Sequence, residues 1–163
     1  MTAGRSFDSI ESQLAEQRRT ISELQTPVVQ VWDRILMLPI VGTLDTMRSQ
    51  EMTEALLDKI VQTGSEIVIL DITGVPLVDS AVAKHLLETV SAARLLGAEV
   101  LIVGLTTRTA MTLVHLGLDL GGVTTRATMA KGLELAFRRL GLEVVQRRGG
   151  PSALQADPLE GEA

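Results

Sequence analysis

The chain contains no cysteine and no tyrosine, and its 163 residues include only three aromatic side chains, Phe7, Trp32 and Phe137. Without cysteine there can be no disulfide, no thiolate nucleophile and no cysteine-ligated metal. With so few rings the interior has to be aliphatic, and a 45% hydrophobic content is enough for one domain plus short appendages. There is no basic surplus either: 15 Lys and Arg stand against 20 Asp and Glu, giving a net charge of −5. Nucleic acid is therefore disfavoured as a partner, because nothing neutralises phosphates in bulk. No apolar run approaches the ~18 residues needed to span a bilayer. Residues 1–19 carry charge without the apolar stretch of a signal peptide. These features predict a cytoplasmic protein that uses no membrane. Neither GxGxxG nor GxxxxGK[ST] occurs, so the chain is not expected to bind ATP itself, and no cofactor is expected.

Three regions are legible in what is present. Residues 1–26 read as an N-terminal linker helix. Within it Phe7, Ile10, Leu14, Ile21 and Leu24 alternate at spacings of three and four, with Gln17 in the remaining slot. That is a heptad seam, which suits a short dimer coil; the alternative is an amphipathic helix folded back on its own domain. Residues 27–145 read as the globular domain. Residues 146–163 hold arginines, Gly-Gly, prolines and acids with few apolar side chains, and are expected to form a disordered tail.

Inside the domain, Val28–Trp32 and Ile35–Val41 read as two strands joined by a turn at Asp33-Arg34. Pro39 predicts an irregularity or an open edge there. A helix capped by Thr43 or Asp45 follows, with Met47, Met52, Leu56, Ile60 and Val61 on its inner face and Gly64 as its stop. Ile67–Ile72 is an apolar, β-rich run of the kind covered on both faces. Helix 80–96, strand 100–103, helix 107–116, a short strand at 123–125 and helix 128–140 complete the order. The inner residues of helix 80–96 are expected to be Val82, Leu86, Leu87, Val90 and Leu95. Strands separated by helices imply parallel pairing with right-handed crossovers. The expected fold class is α/β: a small mixed sheet of four to five strands flanked by four helices.

The densest information lies in Val68-Ile-Leu-Asp-Ile-Thr-Gly-Val-Pro-Leu-Val-Asp-Ser80. A buried strand runs through a short turn into a helix that opens on Asp79-Ser80. Either residue can serve as the N-cap. One hydroxyl is thereby set on the sheet rim with no acid, base or metal cluster around it in sequence. His85 lies five residues past Ser80, off the serine's face of the helix, and the nucleophile-elbow pattern is missing, so a Ser-His-Asp triad is not expected. His115 likewise has no partner in sequence for such a role. Asp71 ends the strand beside Thr73 and is expected to hydrogen-bond the turn. With only Asp79 nearby in sequence, no metal site is expected.

Four segments together resemble a known family. They are Trp32-Asp33 with Leu38-Pro-Ile-Val-Gly-Thr-Leu-Asp45, Asp71–Ser80, Gly97-Ala98 with Val103-Gly104, and Ala110-Met-Thr-Leu-Val-His-Leu-Gly117. In this order and spacing, over about residues 20–143, they resemble the STAS domain of anti-sigma-factor antagonists. More narrowly, they are most similar to the sensor-type scaffold proteins of the bacterial stressosome. The resemblance implies an oligomeric, non-enzymatic phosphoprotein of the stress response that sequesters a serine/threonine switch kinase and lets it go once phosphorylated. Other STAS scaffold subunits would be its partners, in a homodimer or larger assembly. Carried over residue by residue, Ser80 matches the phosphoacceptor. In sensor-type subunits that position is usually threonine. Thr112 matches a second acceptor, with Thr106, Thr107 and Thr109 close by. Val78, Asp79, Ser80 and Lys84 would meet the partner. Sensor-type subunits also carry an N-terminal sensory domain joined by a helix, of which residues 6–25 here look like the end.

Two other functions compete. One is a simple antagonist that binds an anti-sigma kinase directly, which would have no need of a heptad seam. The other is a ligand-binding module using the groove near Gly74–Ser80, which the scarcity of aromatic and basic residues there weakens.

Overall fold

The computed structural model describes residues 9–17, 27–117, 120 and 122–148. Residues 9–17 are helical (α1). Of the expected heptad positions, Phe7, Ile21 and Leu24 lie outside the described residues, as does the tail from 149 onward. Residues 146–148, the start of the expected tail, are exposed and irregular.

The strands are β1 (Val29–Trp32), β2 (Ile35–Val41), β3 (Ile67–Gly74), β4 (Glu99–Val103) and β5 (Thr124–Arg126). The helices are α2 (Thr46–Thr63), α3 (Ser80–Leu95), α4 (Thr107–His115) and α5 (Met129–Arg139). The strands form one sheet in the order β1-β2-β3-β4-β5, with β1 antiparallel to β2 and the remaining pairs parallel. The opening hairpin turns at Asp33-Arg34, where Arg34 takes a positive φ of 66°. β1 pairs with β2 only as far as Met37, so Pro39 lies beyond its reach, and the β2–β3 register shifts between Pro39 and Val41. A residue without an N–H fits a stretch that has no strand on one side.

Period-two alternation divides the sheet into two faces. Leu36, Leu38, Ile40, Val68, Leu70, Ile72, Val100 and Ile102 pack with α2, α3 and Leu113 of α4. Ile35, Ile67, Ile69, Leu101 and Val103 pack with Ala136 and the inner side of α5. Ile67–Leu70 is buried throughout, which explains its unbroken apolar sequence.

The inner faces of two helices differ from expectation. α2 buries Ser49, Met52, Leu56 and Ile60, whereas Met47 and Val61 are exposed. α3 buries Val82, Ala83, Leu86, Thr89, Val90 and Ala93, while Leu87 is only half-buried and Leu95 is 89% exposed. Met47 lies about half a helical turn from Leu56, and Leu95 the same from Leu86, so neither pair can share a face. Small residues, Ser49, Ala83 and Ala93, take the inner places and let helix and sheet approach. In α4 only Leu113 is buried; Ala110 and Val114 point outward.

α5 lies close against the sheet at Gly132, where a Cβ would stand 2.5 Å from Val103 Cγ1. Replacing glycine by alanine in a helix ordinarily stabilises by roughly 0.5–1 kcal/mol. Here the collision with a rigid, fully buried valine reverses the sign. Gly132→Ala is expected to lower stability by about 1–3 kcal/mol, the usual cost of overpacking. Urea unfolding measures this; a gain in stability would show that α5 can lift freely from the sheet.

Candidate functional site

The parallel strands all end on one rim, and the loop from β3 to α3 occupies its middle. A turn begins where Val75 N–H donates to Ile72 O (3.0 Å), and Gly42 N–H donates to Gly74 O (2.9 Å), tying the β2–α2 loop to the end of β3. Val75 and Val78 are both buried and pin the loop to the core. Between them Leu77 is left 60% exposed at the tip.

Asp79 then caps α3. Its backbone is extended (φ −96°, ψ −174°) and its Oδ1 accepts from Val82 N–H at 2.9 Å. Capping therefore falls to Asp79, and Ser80 becomes the first helical residue. Its side chain is exposed, and its hydroxyl has no hydrogen-bond partner among the described residues. Lys84, one turn further along, is exposed on the same outward side of α3 and forms no ion pair among the described residues. Ser80, Lys84, Leu87, Glu88, Ser91 and Leu95 line a shallow open groove along the helix.

The structure corrects one of the expected partner contacts. Val78 is 3% exposed and belongs to the core, so it holds the loop from beneath and has no surface to offer. Leu77, its neighbour, is the apolar side chain at the surface. The sequence held a signal for this, since a loop this short cannot turn Val75, Leu77 and Val78 all inward. Val41 at the end of β2 and Met47 at the start of α2 are also exposed on this rim.

His85 does not approach Ser80. Its Nε2 lies 3.5 Å from Thr46 Oγ1 and its Nδ1 lies 3.9 Å from a Glu88 carboxylate oxygen. It belongs to a polar seam between α2 and α3 that continues through the Thr53–Thr89 hydroxyl pair (2.8 Å). Asp71 Oδ1 accepts from Thr73 N–H (3.0 Å) and Thr73 Oγ1 (2.6 Å), which is the local turn bonding expected of it. Among the described residues no group of three or more His, Asp or Glu is placed to hold a metal ion.

The β4–α4 loop abuts this end of β3. Gly104 has φ +87°, and a Cβ there would stand 2.6 Å from Thr73 N and 2.9 Å from Asp71 Oδ1. α4 then starts at Thr106, whose Oγ1 accepts from Thr109 N–H (3.1 Å). Thr106 and Thr109 hydroxyls also pair at 3.0 Å. Thr107 is exposed. Thr112 is half-buried, and its hydroxyl donates to Arg108 O (2.9 Å) one turn back. A reaction at Thr112 has to break that bond first, whereas Ser80 has none to lose.

A five-stranded mixed sheet with an exposed serine opening the helix after its central strand marks a small α/β domain that presents a rim hydroxyl instead of a cleft. The chain belongs to the STAS domain family, whose model matches residues 26–131. Over 137 residues it is 39% identical to the RsbT co-antagonist protein RsbRA of Bacillus subtilis, covering 84% of this chain and 50% of that protein. RsbRD of the same organism is 38% identical over 121 residues, covering 74% of this chain and 44% of RsbRD. The chain thus spans half or less of the length of these relatives. Among solved structures, a serine-to-glutamate variant of RsbS from Moorella thermoacetica superposes with a TM-score of 0.61 at 31% identity, covering 72% of this chain and 97% of that one. A structure describing the molecular architecture of the stressosome gives 0.57 at 30% identity, covering 71% of this chain and 98% of that one. The chain is thus homologous to the stressosome scaffold proteins.

The cap and the hydroxyl should separate on mutation. Asp79→Ala is expected to destabilise the domain by about 1 kcal/mol, and Ser80→Ala to stay within about 0.5 kcal/mol of the parent. Thermal or urea unfolding checks this. Equal losses would mean that Ser80 shares in capping.

Proposed function

We propose that this chain is a non-enzymatic scaffold of a stressosome-like complex in the cytoplasm. It holds a serine/threonine switch kinase over the rim and releases it on phosphorylation of Ser80, with Thr112 as a second acceptor. Other STAS subunits are the remaining partners. The observation that carries this reading is the division of labour at the start of α3: Asp79 caps, Val75 and Val78 anchor, and the Ser80 hydroxyl stays free and exposed. Homology to RsbRA and RsbS supports it.

The kinase transfers the γ-phosphoryl group of ATP to Ser80 Oγ. The new O–P bond replaces the bond to ADP, and the hydroxyl proton passes to a base on the kinase. The product adds about −1.5 to −2 charge to the rim. A helix N-terminus tolerates that charge, because its first amides are unpaired and its dipole is favourable. A partner docked over Leu77 and Asp79 has to desolvate it beside a carboxylate, so the interface weakens while the fold survives.

The α1 segment supports assembly. Ile10 and Leu14, both expected seam positions, are 50% and 48% exposed, which suits burial against a second copy.

Ser80→Asp is expected to weaken binding to the purified switch kinase on the order of tenfold or more, a loss of about 1.4 kcal/mol per factor of ten, with no fall in melting temperature. Pull-down and thermal melting test it together; undiminished binding would refute the switch. Ile10→Glu with Leu14→Glu is expected to reduce the assembly seen by analytical ultracentrifugation while leaving the domain folded. An unchanged sedimentation profile would remove α1 from the interface.

A further inference from the structure

We propose that Lys84 is the residue that holds the phosphate of phospho-Ser80, drawing it along the outer side of α3 instead of leaving it projecting from the rim. The inference rests on the reading of Ser80 as phosphoacceptor and specifies what the modified side chain does.

Ser80, Lys84 and Glu88 stand at successive i, i+4 positions on one outward stripe of α3 and line the same groove. Lys84 is exposed and has no acid partner among the described residues. Glu88, the acid one turn beyond, has its carboxylate 3.9 Å from His85 Nδ1. No rival acid is therefore paired with the lysine. An acid placed four residues before a lysine is the favoured orientation for such a pair, and phospho-Ser80 creates that arrangement where none existed. Close by, the Asp79 carboxylate is turned to Val82 N–H. It repels the phosphate from the loop side and leaves the Lys84 side as the attractive one. The first-turn amides of α3 supply further donors.

Two consequences follow for the switch. The charge added to the rim is partly neutralised within α3 itself, which lets the domain keep its fold through the cycle. Mimicry of the modified state also depends on reach, so a glutamate at position 80 engages Lys84 better than an aspartate.

The test uses the full chain with phosphoserine genetically installed at position 80 and follows phosphate ionisation by ³¹P NMR. The second ionisation of the phosphate is expected at lower pH in the parent than in Lys84→Gln, by a few tenths of a pH unit. Lys84→Arg is expected to restore the parent value. Lys131→Gln, on α5 at the opposite face, is expected to leave it unchanged. The proposal is overturned if Lys84→Gln titrates like the parent, or if Lys131→Gln moves the phosphate equally; thermal melting confirms that each variant is folded. Because the phosphate is installed without the kinase, a Lys84 effect in a protein that the kinase neither binds nor modifies would count against the switch reading alone.

Discussion

The hydrogen bond from Val82 N–H to Asp79 Oδ1 decides where α3 begins, and the site depends on where α3 begins. One residue later, Ser80 would become the cap and its oxygen would be committed to a backbone amide. One residue earlier, Ser80 would become the second helical residue and its side chain would point to a different side of the helix. The buried valines on either side of Leu77 make the choice unambiguous, since both must reach the core from a loop too short to offer another path. Packing beneath the loop and capping at its end thus agree on a single conformation in which a reactive oxygen is left idle.

The sheet supplies the rigid platform. β3 is central, buried on both faces by aliphatic side chains, and carries the switch loop at its end. The β4–α4 loop is held against the same strand end by Gly104, which leaves no room for a side chain beside Thr73 and Asp71. The two hydroxyl positions suggested by family resemblance, Ser80 and Thr112, therefore sit on helices whose starting loops both rest on the last residues of β3. They differ in chemistry. Ser80 is exposed and makes no hydrogen bond among the described residues, while Thr112 is half-buried and bonded to its own helix.

Much of the fold was readable in the sequence because its signals were local. Gly64 stops α2 in a left-handed conformation, Asp45 and Asp79 cap helices, and the apolar run at Ile67–Leu70 marks a doubly covered strand. Expectation and structure part where an apolar residue lies off the helical stripe of its neighbours. Leu95, Met47 and Val61 are apolar yet exposed, because their phase on the helix points them away from the sheet, while Ala93 and Ser49 fall on the inner stripe. α4 was the least legible helix, with a single buried residue, Leu113, to orient it. At the site, Ser80 and Asp79 can be picked out by residue type, but which of them caps cannot; the short loop signals that one apolar residue must face outward, without saying whether it is Leu77 or Val78.

The pairing of Trp32 with Phe137 also bears on how the molecule can be observed. These rings meet edge to face with centroids 5.4 Å apart, joining β1 to α5, and Trp32 is the only tryptophan in the chain. Trp32 is 53% exposed, and its emission is expected to respond when α5 leaves the sheet. Intrinsic fluorescence is thus a private readout of the back of the molecule. Events at the opposite end of the strands, where Ser80 lies, have to be followed by a label placed there.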